Sequence, residues 1–383
     1  MKKVTLSTLS LALLAAAGAA NAQSSVTLYG AIDNGIQYVN NNGGKSQVGL
    51  ADSTVLSDRW GLKGSEDLGN GLKAIFQLES GFSVNTGKLY QNNSLFGRQA
   101  YVGLASQQFG TLTLGRQYDA VTDMVQGMTG DAWTYLFATP GDVDNNDNSS
   151  RFNNSVKYLS PVFSGLQGEA TYSFGGTPGS VGSSQSWSAA ATYGIGQFSL
   201  AAGYLSMRNT GSATVRDGWA STTSSQAGTG TVFNSSINSA FATAASVDIA
   251  QVGAQYVWGP FTGSVRYSNA LYRPDGQSAF SSIQRYNVGS ALLQYQLTPA
   301  LGFALDYAYV HGNGNEFANG SSSQSYNQIG AGAQYSLSKR TSLYVVGAYQ
   351  HASSGHTASI SSTGIDSSTQ NQVIGVAGLV HKF

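Results

Sequence analysis

The chain has 383 residues, and only 10% of them are charged, with 19 basic and 19 acidic side chains. Globular domains average about 25% charged residues, and the even balance excludes the basic bias that a nucleic-acid surface requires. Cysteine is absent, which rules out a disulfide framework, while glycine (48) and tyrosine (21) are abundant.

At the start, Lys2 and Lys3 precede an apolar stretch, Leu9–Ala17, and then Ala20-Asn21-Ala22. That order reads as a signal peptide over 1–22, and the apolar run is too short for a spanning helix. A mature chain from Gln23 carries 17 − 19 = −2 charges once Lys2 and Lys3 are gone.

From Ser25 onward, apolar and polar residues alternate with period two, and no long apolar run remains. Sixteen strands are expected, beginning near Ser25, Ser57, Leu72, Leu95, Gly110, Asn154, Leu166, Ser186, Gln197, Val247, Phe261, Ile283, Leu301, Ser325, Thr341 and Gln370. In the segment from Asp58, Trp60 and Leu62 oppose Arg59 and Lys63. Further on, Ala250, Val252, Ala254, Tyr256 and Trp258 share one face, as do Ile329, Ala331, Ala333, Tyr335 and Leu337. One apolar and one polar face suit lipid outside and water inside, or a sandwich with the orientation inverted.

Connectors separate these readings. Short turns (Gly69-Asn70-Gly71, Gly194-Ile195-Gly196, Gly259-Pro260, Thr298-Pro299, Ser338-Lys339) alternate with long polar loops. Tyr158, Tyr193, Tyr256, Tyr295 and Tyr335 each stand 3 residues before Pro161, Gly196, Gly259, Thr298 or Ser338. Tyrosine at one depth is the requirement of an aromatic girdle at a lipid–water boundary. An even strand count puts both termini on the periplasmic side, where first and last strands can pair. The expected fold is therefore all-β, a 16-stranded antiparallel transmembrane barrel forming a single domain over 23–383.

Two connectors are long. Asn209–Ser246 is rich in Ser, Thr, Ala and Gly, and is expected outside the cell surface. Gln117–Ser150 holds Asp119, Asp123, Asp131, Asp142, Asp144 and Asp147 with no basic residue, together with Trp133, Tyr135, Leu136 and Phe137. Such an apolar cluster can pack on a wall. Folded inward, 117–150 becomes a constriction loop; left outside, its aspartates are merely solvated. Arg59, Arg98, Arg116 and Arg151 lie on or beside strands, and lipid exposure of arginine at mid-membrane costs about 2–4 kcal/mol. These residues are therefore assigned to the lumen or its boundary. Lys63 and Lys73 are further lumen candidates near a short turn. A basic wall facing Asp119, Asp123 and Asp131 would set a transverse field, and basic rings favour anions.

Four motifs carry a likeness: Ser25-Val-Thr-Leu-Tyr-Gly30, Arg59-Trp-Gly-Leu-Lys-Gly-Ser-Glu-Asp-Leu-Gly-Asn-Gly-Leu-Lys-Ala74, Arg98-Gln-Ala-Tyr-Val-Gly-Leu104 and Phe109-Gly-Thr-Leu-Thr-Leu-Gly-Arg116. Over the mature chain the sequence resembles the trimeric general porins of Gram-negative bacteria, in their β-proteobacterial branch. The resemblance implies a homotrimer in the outer membrane, among its lipid and lipopolysaccharide, with the third outer loop folded inward. It implies a general diffusion porin passing small hydrophilic solutes and inorganic ions with mild anion preference, Arg59, Arg98 and Arg151 matching the constriction arginines of anion-preferring members. The alternative is a substrate-specific outer-membrane channel, which would need a selective track of aromatic or basic residues. Phe383 matches the terminal aromatic that signals to the barrel-assembly machinery. The loop departs from the family, reading Ala138-Thr-Pro-Gly141 in place of Pro-Glu-Phe-Gly.

Other signals fail on inspection. Gly69-x-Gly71-x-x-Ala74 lacks the helix a dinucleotide fingerprint needs. Asp142-x-Asp144-x-Asn146 continues with Asp147 and Asn153 where a calcium loop requires glycine and glutamate. His311, His351, His356 and His381 sit in no nucleophile or zinc motif, so neither enzyme activity, cofactor nor metal is expected.

Overall fold

A computed structural model describes residues 25–147, 150–176, 178–209, 235–313, 323–360 and 365–383. The expected signal peptide over 1–22 and most of the Asn209–Ser246 loop lie outside the described residues.

Alternating segments become antiparallel strands: β1 (Ser25–Asn42), β2 (Lys45–Asp52), β3 (Arg59–Gly69), β4 (Leu72–Gly81), β5 (Gln99–Ser106), β6 (Gly110–Gln117), β7 (Phe152–Leu159), β8 (Leu166–Ser173) and β9 (Ser186–Ile195). They continue as β10 (Phe198–Arg208), β11 (Ser246–Trp258), β12 (Phe261–Arg273), β13 (Gln284–Gln296), β14 (Leu301–Asn313), β15 (Ser323–Ser336), β16 (Thr341–Ala352) and β17 (Asn371–Lys382). Neighbours in sequence pair around the ring, and β17 closes on β1 from Ala31↔Lys382 to Val39↔Ile374.

Among the described residues, 17 strands occupy 16 barrel positions, because β2 and β3 share one edge of β1. β3 pairs with its first half, Ser25–Ala31, and β2 with the stretch from Asn34 to Asn42. β2 is an addition to the expected set. Between the two, the Asp33 carboxylate accepts from the amides of Val55 (2.6 Å) and Leu56 (2.8 Å), pulling that segment inward and splitting one strand in two. β5 begins at Gln99 rather than near Leu95, since Tyr90–Asn93 forms one helical turn.

The barrel is polar-in and apolar-out. On β14, Leu305, Tyr307 and Tyr309 are exposed, while Asp306 and the small Ala304 and Ala308 turn inward. At the short-turn end a ladder of rings runs across β11–β14, with Tyr256–Trp258, Trp258–Phe261, Phe261–Tyr295 and Tyr295–Phe303 centroids 5.9, 5.8, 4.6 and 6.5 Å apart. Phe383 finishes the seam: its amide and carbonyl each bond to Gly30 at 3.1 Å, and its ring fills the space a Cβ at position 30 would need.

Because lipid covers the outer face, the buried apolar core forms inside, where loops meet the wall. One cluster joins Val121, Val125 and Val143 to Ile237, Phe241, Tyr272 and Tyr286. The other joins Leu136 and Phe137 to Leu292, Tyr344, Val346 and Ile360.

Candidate pore constriction

The 117–150 loop folds into the lumen, and its own aspartates hold it there. Asp119 caps the short helix Ala120–Val125, accepting from the Val121 (2.8 Å) and Thr122 (3.1 Å) amides. This is the ordinary N-cap use of a carboxylate, and it leaves Asp119 buried. Asp123 pairs with Lys157 of β7, whose ammonium also lies 3.3 Å from Glu169 of β8.

At the tip, Trp133 and Phe137 stack with centroids 5.4 Å apart. Their rings lie where a Cβ would stand on Gly332 and Gly330 of β15, so those two glycines make the seat. The Gln328 amide donates to the carbonyls of Leu136 (3.1 Å) and Ala138 (3.0 Å), and Thr134 donates to Thr54 (2.7 Å). On the return limb Asp144 pairs with Arg266 of β12 and accepts from Ser268. Gln251 donates to the Asp144 carbonyl (2.7 Å) and Tyr272 to that of Val143 (2.6 Å).

Between the loop and the wall lies a cavity of about 300 Å³ bordered by Arg59, Arg98 and Arg151 together with Asp131, Asp147 and Tyr135. On the basic side Arg98 lies 2.7 Å and Arg59 3.7 Å from Glu79, which also accepts from Tyr29 at 2.8 Å. Arg151 stacks over Tyr118 at 5.0 Å and donates to its hydroxyl at 3.2 Å. Burial opposes ionisation of Tyr118, yet Arg151 and Arg98 hold its hydroxyl below the ordinary value. On the acidic side, burial and then the charge and hydrogen bond of Asp147 push Asp131 well above the usual carboxylate range. Two carboxyls in contact resist double ionisation and share a proton.

The expected residues therefore part company. Arg59, Arg98 and Arg151 come together. Arg116 sits at the rim on the row of outward Leu114, bonded to the Gly97 carbonyl and to Asn153, both at 2.7 Å. Of Asp119, Asp123 and Asp131, only Asp131 borders the cavity. Lys63 lies over the Tyr29 ring at 5.1 Å, and Lys73 is exposed opposite Asp67, both towards the short-turn opening. Sequence reasoning missed Glu79, Tyr118 and the tethers Lys157 and Arg266. Arg266 was the findable one, since it lies between outward Val265 and Tyr267.

A family model described as Gram-negative porin matches residues 8–355. An outer membrane porin protein of Bordetella pertussis is 40% identical over 189 residues, 45% of this chain and 48% of that protein, so the match spans about half the length of that relative. A major outer membrane protein P.IB of Neisseria meningitidis serogroup B is 30% identical over 390 residues, covering 97% of this chain and 98% of the relative. Among solved structures, the anion-selective porin from Comamonas acidovorans has the same fold, with a TM-score of 0.74 at 23% identity over 94% of this chain and all of the other.

Proposed function

The chain belongs to the Gram-negative porins, proteins of the outer membrane, and from that premise we propose that it is a general diffusion channel with mild anion preference. Small hydrophilic solutes and ions pass down their gradients, and no chemical step is involved. The observation that carries this reading is a single cavity bordered by Arg59, Arg98 and Arg151 together with Asp131 and Asp147.

Charge at the cavity sets the sign of selectivity. Three arginines stand against Glu79 and an Asp131–Asp147 pair that burial and mutual repulsion hold short of double ionisation, which leaves the balance at the cavity on the positive side. Asp123 and Asp144 are held in ion pairs with wall cations and add little field at the opening. A small net positive charge in a narrow aqueous gap favours anions only mildly.

A homotrimer is part of the proposal. Exposed outward tyrosines such as Tyr193, Tyr256, Tyr307 and Tyr349 belong to β7–β16, whereas β1–β6 present Val26, Leu28, Ile36, Leu104 and Leu114 with Tyr38 as the exposed tyrosine. An apolar wall short of girdle tyrosines suits a partner subunit better than a lipid–water boundary. Lipid and lipopolysaccharide would then contact the girdled side. Phe383 serves as the signal to the assembly machinery. Planar-bilayer recording tests the whole: ohmic conductance rising in triplets is expected, and closed bilayers would refute it.

A further inference from the structure

On the short-turn side of the constriction, the loop tip roofs a second cavity of about 240 Å³. Strand register builds its floor. Gln294 of β13, Ala304 of β14 and Gly332 of β15 form one lateral row, and Gln296, Gly302 and Gln334 form the next towards the turns. Thr262 of β12 pairs with Gln294. Small residues on β14 thus leave a trough between the Gln294 and Gln334 amides, and Trp133 lies across it with one side on Phe137 and its rim over Gly332.

Two properties of this cavity select a class of ligand. Among the described residues no charged side chain lines it. The Gln296 amide nitrogen is spent on the Thr298 carbonyl at 2.7 Å, but the Gln294 and Gln334 amides and the Trp133 indole N–H make no hydrogen bond to the described protein. An ionic solute finds no counter-charge here, unlike at the arginine cluster. A purely apolar solute would strand two amides, each able to donate and accept. An aromatic plate edged by neutral amides instead matches a molecule with an apolar flat face and hydroxyls around its rim.

We propose that this cavity binds an uncharged sugar ring, as a transient stop on its way through the pore. The proposal rests on the channel reading above and names one solute class for it. The C–H face of the ring lies on Trp133, and its hydroxyls exchange water for the Gln294, Gln334 and Thr262 groups. Binding is weak and reversible, since the cavity is open on one side and leaves part of the ring in water.

The full chain is tested in planar bilayers by recording KCl current while glucose or maltose is titrated, against glycerol at matched viscosity. Saturable block by sugar beyond the glycerol effect is expected. Gln294→Leu and Gln334→Leu, each first verified as an open channel by its KCl current, should raise the half-saturating sugar concentration at least fivefold. Sugar and glycerol acting alike, or both variants blocking at the original concentration, would overturn the site while leaving the channel intact. Absence of any KCl current in the original protein would instead overturn the channel reading and this site with it.

Discussion

Replacing Arg266 by methionine should free the return limb of the constriction loop. The Arg266 and Asp144 side chains are both essentially buried, 1% and 0% exposed. The same guanidinium donates to Thr139 of the loop at 2.7 Å, so one wall residue holds two points of the limb. Removing one member of a buried pair costs about 3–5 kcal/mol, most of it from stranding the remaining charge. At ~1.4 kcal/mol per tenfold, the ratio of docked to undocked limb falls by roughly two to three and a half orders of magnitude. Single-channel recording should show a noisier current and a larger mean conductance, and limited proteolysis should cut near Asp144. Adding Asp144→Asn removes the stranded charge and should restore most of the quiet current. Wild-type noise and protease resistance in the single variant would refute the tether.

Three further outcomes follow from the same geometry. Gly332→Val inserts a side chain where the Trp133 ring lies, an overpacking that costs about 1–3 kcal/mol; the loop tip should lift, seen as altered conductance and a shifted tryptophan emission. Asp119→Ala removes the cap of the Ala120–Val125 helix, worth about 1 kcal/mol, and should lower hydrogen-exchange protection at the Val121 and Thr122 amides while distant strands stay protected. Because Asp131 titrates well above the usual carboxylate range, the shared proton is present at low pH and lost as pH rises. Anion preference should therefore decline on alkalinisation, with Asp131→Asn removing the dependence, and a flat profile in the original protein would contradict the shared proton.

Strand positions were legible because a barrel wall imposes period two on every segment it contains, and lipid outside fixes which face is apolar. The tyrosines three residues before the turns placed the membrane boundary for the same reason: one depth, one chemistry. β2 was not legible. Its split from β3 arises from Asp33 capturing the Val55 and Leu56 amides, a contact between segments over 20 residues apart. The aspartates behave similarly. Their number in 117–150 announced a loop of unusual charge, but only the folded path decides that Asp119 caps a helix, that Asp123 and Asp144 find Lys157 and Arg266, and that Asp131 meets Asp147. Arg116 was misplaced against the alternation itself, which puts it on the outer row with Leu112 and Leu114; at the end of β6 its guanidinium reaches the Gly97 carbonyl and Asn153 at the rim instead of the lumen.

If Arg59, Arg98 and Arg151 set the charge preference of the pore, the reversal potential in a KCl gradient reads it directly. The original protein should favour chloride mildly. Arg59→Ser with Arg151→Ser removes two positive charges from the cavity border and should move the potential to the potassium side. A potential that stays where it was in the double variant, with conductance intact, would contradict the account.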